Sequence, residues 1–126
     1  MPSLKPADLA HLLAVRGDFV SLGHAGGQYT ATVRANDKAV RSRAEPGSLW
    51  VAEHRRNTDR SPGPVLAMER RGSGWCYAVA ASDGAVLRAG TLRDCAGCHA
   101  AAPSSESVFT TVGPGTAGAS EEQGRD

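Results

Sequence analysis

The chain is poor in aromatic side chains, with two Trp, two Tyr and two Phe among 126 residues. Its core must therefore be built mainly from Ala, Val and Leu, and a bound cofactor would add apolar contact area. It has no large excess of either charge. The formal net charge is +1, from 14 basic and 13 acidic side chains, which argues against nucleic acid or an anionic membrane as the main partner. No apolar run approaches the roughly 20 residues needed to cross a bilayer, so no membrane span is expected. A secretory leader is not legible either. Its apolar region would run unbroken for about 7–15 residues after a basic start, whereas Leu9, Leu12, Leu13 and Val15 stand among Asp8 and His11. Lysine is nearly absent, with only Lys5 and Lys38. The cysteines number three, and an odd count does not read as a disulfide framework. The length fits one domain.

What is present reads as short alternating segments. Pro6, then Leu9, Leu12 and Leu13 at helical spacing, predict a helix that stops near Gly17, and Gly23, Gly26 and Gly27 mark a loop. From Gln28 to Arg34, Tyr29, Ala31 and Val33 alternate with Thr30, Thr32 and Arg34, as in a strand. Asn36 or Asp37 can cap a short helix to about Arg43, ended by Pro46-Gly47. Ser48 to His54 predicts a second strand, with Leu49, Val51 and Glu53 opposite Trp50, Ala52 and His54. Arg55 to Pro64 is polar, carries two prolines, and predicts a loop. Val65–Arg70 and Gly74–Ala81 predict two further strands. Asp83-Gly84 is a hairpin signal, returned by Ala85–Arg88. Beyond Val112, Gly, Pro, Ser and Glu dominate, and residues 113–126 are expected to form a disordered tail. The resulting division is an N-terminal helix and loop over 1–27, a main domain over 28–112, and the tail. The fold class is α+β: mostly antiparallel sheet with a few short helices.

The chemistry concentrates at residues 95–99, Cys-Ala-Gly-Cys-His. Two cysteines three residues apart can each form a thioether with one of the adjacent vinyl groups at the edge of a haem. The following histidine can then ligate the iron from one face, which is the pattern of c-type attachment. The expected cofactor is thus one covalent haem c, on Cys95 and Cys98, with His99 as the metal ligand. Two other readings stay open. A zinc site would need a second ligand pair, and only Cys76 and the scattered His11, His24 and His54 remain. A thioredoxin-like redox pair would need a βαβ setting, which is not visible. Haem c is attached outside the cytoplasm in bacteria, so a periplasmic or otherwise extracytoplasmic location follows from the motif.

A wider set of residues carries a resemblance. Val33-Arg34-Ala35-Asn36-Asp37-Lys38-Ala39-Val40, Pro46-Gly47-Ser48, Gly74-Trp75-Cys76-Tyr77, Asp83-Gly84, Cys95-Ala-Gly-Cys-His99 and Val108-Phe109-Thr110 occur in an order that resembles the cytochrome P-460 family, which includes the beta form of cytochrome c-prime. The resemblance spans about Tyr29 to Thr110. It implies a mostly antiparallel sheet with the haem packed on it. Members either oxidise hydroxylamine or bind small gases such as nitric oxide, and are often dimers. The oxidising members carry a lysine cross-linked to the haem and a distal carboxylate before a strand methionine. Here Ala52 stands at the lysine's place and Leu66, ahead of Met68, at the carboxylate's. Both departures imply an apolar distal face without a proton acceptor. That suits an uncharged diatomic better than hydroxylamine oxidation, which requires protons to be removed.

Further residues have a bland reading beside a functional one. Met68 is a sixth axial ligand or a core side chain. Arg34 pairs with a haem propionate or faces solvent. Trp75 and Tyr77 pack on the haem or in the core, and Cys76, facing the other way, is expected to be a free thiol. Arg55, Arg56 and Arg60 form a solvated loop or a docking patch for an acidic redox partner. The leading expectation is a haem protein with an open, apolar distal site for nitric oxide or a related small nitrogenous ligand. The alternatives are a hydroxylamine-oxidising or peroxidase-like enzyme, and an electron-transfer protein.

Overall fold

A computed structural model describes residues 1–21, 27–72 and 74–92. One sheet of six strands dominates it: β1 (Leu13–Ser21), β2 (Tyr29–Ala35), β3 (Leu49–Arg56), β4 (Pro62–Arg71), β5 (Gly74–Ala80) and β6 (Val86–Gly90). The strands lie in chain order and every neighbouring pair is antiparallel. Two short helices flank it, α1 (Pro6–Leu9) and α2 (Asp37–Ser42). The architecture is the mostly antiparallel α+β fold expected. Among the described residues no helix is long and apolar enough to cross a membrane.

The N-terminal segment differs from the expectation. The helix is only four residues long, and Leu13 onward is a strand that pairs with β2 along its length. The polar stretch from Arg55 to Pro64 also differs. β3 runs on through Arg56 and β4 begins at Pro62, with Arg55 opposite Pro62. Pro62 is tolerated because it opens its strand. The connection shrinks to residues 57–61.

Side chains alternate between the two faces of a sheet, and each face here has its own cover. On the first, Leu49, Val51, Val65, Ala67, Ala78 and Ala80 pack against Leu4 and Leu9 from the N-terminal segment. This is the α1 face. Burying an aliphatic side chain of this size stabilises by roughly 1.5–3 kcal/mol, and Leu4 and Leu9 are each 1% exposed. The segment is seated by close backbone approach. A Cβ on Gly84, whose φ is +92°, would lie 2.6 Å from the Cα of Lys5, so the β5–β6 turn accepts only glycine there.

On the second face Val33, Ala35, Trp50, Met68, Trp75 and Tyr77 pack with Ala39 of α2. This is the α2 face. Asn36 starts the helix, as expected, and does more than cap it. Its Oδ1 accepts from the backbone N–H of Ala39 (3.0 Å) and of Leu49 (3.1 Å), while Nδ2 donates to the Gly47 carbonyl (2.8 Å). One side chain thus ties the helix start to the turn that leads into β3. At the other end of α2 the Trp50 indole N–H donates to the Arg43 carbonyl (2.8 Å).

Candidate functional site

The cross-strand register sorts the nominated residues. On the α2 face the first row across the sheet is Ala35, Trp50, Met68, Tyr77 and Gly90. Trp50, Met68 and Tyr77 are 4–5% exposed, closed over by α2 and by partly buried Val40, Ala44 and Leu92. The next row is Val33, Ala52, Leu66, Val79 and Arg88. Here Ala52, Leu66 and Val79 are only half-buried. They form an apolar strip across three central strands, about 10 Å wide at the usual strand spacing. Below it His54 sits opposite Ala31.

His54 is 3% exposed. Its Nδ1 lies 2.7 Å from the Pro64 carbonyl oxygen. A carbonyl only accepts, so Nδ1 carries the ring proton in this contact. Burial holds the pKa below its ordinary value, against the hydrogen bonds to the Pro64 and Ala52 backbone, which act the other way. The Tyr29 ring meets it edge-on at 5.8 Å between centroids. Gly63 makes room for that pair, since a Cβ there would lie 2.6 Å from the Tyr29 ring.

Three nominated residues, Leu66, Met68 and Trp75, therefore share the α2 face. Met68 is enclosed between Trp50 and Tyr77 as a core side chain. Trp75 is 8% exposed and lies opposite Arg70, whose guanidinium carbon stands 5.3 Å from its ring centroid. Arg34 is on the α1 face, opposite Val51. Its Nε donates to Glu53 and its Nη1 to the Leu12 carbonyl (3.1 Å). Glu53 is thereby also on the α1 face, away from Ala52. Cys76 is a free, half-buried thiol on that face, opposite Glu69.

Cys95, Cys98 and His99 lie outside the described residues, as do His24 and the 113–126 tail. Among the described residues no group of three or more His, Cys, Asp or Glu side chains could hold a metal ion. Sequence reading passed over Val79. The two-residue connection between Arg71 and Gly74 sets the register that aligns it with Leu66, and that register was available from a short-hairpin reading. No protein-family model, no curated protein and no solved structure matches the chain.

Proposed function

We propose that the chain is a c-type haem protein whose distal side binds nitric oxide or a related small, uncharged nitrogenous ligand. Cys95 and Cys98 hold the haem through thioethers and His99 ligates the iron. One observation carries the reading toward a particular surface. Leu92, three residues before Cys95, packs on the cluster of Trp50, Met68, Trp75 and Tyr77. Three residues of chain span at most about 11 Å, so the motif starts within reach of the half-buried strip on the same face.

The strip fits a flat apolar cofactor. Ala52, Leu66 and Val79 offer aliphatic surface with no charge, and their partial exposure leaves area for a partner to bury. The group would supply an iron coordination position for a diatomic ligand. The chain's own residues set what can happen beside it. Ala52 and Leu66 provide neither amine nor carboxylate. Glu53, the adjacent carboxylate in sequence, points to the other face and is held by Arg34. His54 is buried, with Nδ1 engaged by Pro64. Proton removal, which hydroxylamine oxidation requires, has no carboxylate on this strip to receive it. Met68, packed in the core row, favours an open sixth position over a closed one. An extracytoplasmic location belongs to the same proposal, because it follows from covalent haem.

Optical spectra of the purified protein test this, recorded oxidised, then reduced with dithionite, then exposed to carbon monoxide or nitric oxide. A five-coordinate ferrous haem that takes up both gases is expected. A low-spin six-coordinate spectrum indifferent to carbon monoxide would replace the reading with an electron carrier. Hydroxylamine turnover with a red-shifted ferrous Soret band would replace it with an oxidising enzyme. Protein that stays colourless after expression with haem-maturation machinery rejects the haem itself.

A further inference from the structure

The α1 face is closed by the N-terminal segment only as far as Val65. Beyond that it opens into a cleft of about 320 Å³, bordered by Thr30, Thr32, Arg34, Arg55, Arg60 and Ser82. These come from β2, β3, the 57–61 connection and the β5–β6 turn. Strand alternation explains the first four. Thr32 stands opposite Glu53, and Thr30 opposite Arg55, so hydroxyls and charges share one face. Arg34 holds the single bordering carboxylate, Glu53. Three guanidinium groups against one carboxylate leave an excess of positive charge in a concave site, in a chain whose charges otherwise nearly balance.

The surround is pre-organised. Asn57 donates to the Gly27 carbonyl (2.9 Å) and accepts from the Thr30 hydroxyl (2.6 Å). Asp59 accepts from both the N–H and the hydroxyl of Ser61. The Arg60 N–H donates to the Arg56 carbonyl (3.0 Å) and the Arg56 N–H to that of Ser61 (2.9 Å). Arg60 itself has φ +62°, a left-handed conformation that a side chain rarely adopts. The connection is thus held in a shape that keeps Arg60 at the cleft, where like charges repel unless an anion screens them.

We infer that this cleft binds a small oxyanion, a phosphate or a dicarboxylate, recognised by guanidinium forks with Thr30, Thr32 and Ser82 as hydroxyl partners. The site lies on the face opposite Leu66, Met68 and Trp75 and does not depend on the haem.

Calorimetric titration of the full chain, as purified, with sodium phosphate and separately with sodium succinate tests it, at fixed ionic strength set with sodium chloride. Saturable one-site binding of at least one anion is expected. Phosphate alone assigns the phosphate class, succinate alone the dicarboxylate class, and both assign a general oxyanion site. Arg55→Ala, at an exposed position, should raise the dissociation constant at least ten-fold. Arg41→Ala, on α2 and outside the cleft, should leave it unchanged. Binding no stronger than that of chloride for both anions overturns the inference, as does equal affinity in Arg55→Ala and the parent chain.

Discussion

On the α1 face Leu4 and Leu9 reach in from a segment that is scarcely helical, and the apolar part of the face is sealed. On the α2 face α2 and Leu92 seal one row, built on Trp50, Met68 and Tyr77, and leave the next row half covered at Ala52, Leu66 and Val79. The same strands serve both faces, so strand propensity does not explain the difference. What differs is the size and use of the side chains. The α1 face packs small Ala67, Ala78 and Ala80 beneath two leucines, so a short covering segment suffices. The α2 face spends its large aromatics on a single row, and the strip beside it keeps surface for something else to cover. A sheet with both faces already sealed would have nowhere to seat a cofactor.

The largest expected effect breaks the sealed row. Trp50→Ala should lower unfolding stability by about 4 kcal/mol, because it opens a cavity between Met68 and α2 and leaves the Arg43 carbonyl without its indole donor. Urea unfolding followed by far-UV circular dichroism measures it. Leu9→Ala, on the other face, should cost about 3 kcal/mol, since Leu9 is 1% exposed beneath the N-terminal segment. Amide exchange should then rise first in residues 1–12. A neutral Leu9→Ala would mean that the α1 face closes without its cover.

How far these faces were readable from the chain depends on whether a signal is local. β2 to β5 were visible because their alternation is regular and each is paired on both sides. β1 was not. It lies at the sheet edge, and its register shifts between Ala14 and Arg16 and again between Arg16 and Phe19. Each irregularity breaks the two-residue period, while Leu9, Leu12 and Leu13 imitate a helical one. Arg55 and the two prolines hid the ends of β3 and β4 in the same way. The cysteine-histidine motif was legible because covalent attachment needs neighbours in sequence. The partition of Arg34 from Leu66 was not, because alternation orders residues within a strand but only cross-strand register relates one strand to the next.

The half-covered strip is where the comparison can be sharpened. In a haem-free chain, prepared as Cys95→Ala with Cys98→Ala, Leu66→Ala should cost about 1 kcal/mol or less, since a half-exposed leucine has lost only part of its contact with water. The same substitution in the haem-loaded protein should cost more, because the proposed cofactor then buries the side chain. Equal costs in the two backgrounds would separate the strip from the haem. A cost matching Leu9→Ala in the haem-free chain would show the strip to be as sealed as the opposite face.

The smallest effect concerns the far end of the same face, where His54 replaces aliphatic contact with a buried imidazole. Its pKa lies below the ordinary 6.5 because burial penalises the charged ring. As pH falls through about 6.5, the unfolded chain takes up a proton that the folded chain does not yet bind. Unfolding is then favoured by acid, and stability declines until the folded pKa is also passed. Above about 6.5 both states are neutral at this ring and the contribution is flat. Carboxylates add their own acid sensitivity at lower pH, so the informative quantity is a difference. Between pH 7.5 and 5.5 the urea midpoint should fall more in the parent chain than in His54→Gln, whose amide can still donate to the Pro64 carbonyl but cannot titrate. Identical declines would mean that the imidazole is already charged when folded, and the ring would then have to be solvated at the edge of the strip instead of sealed beneath Tyr29.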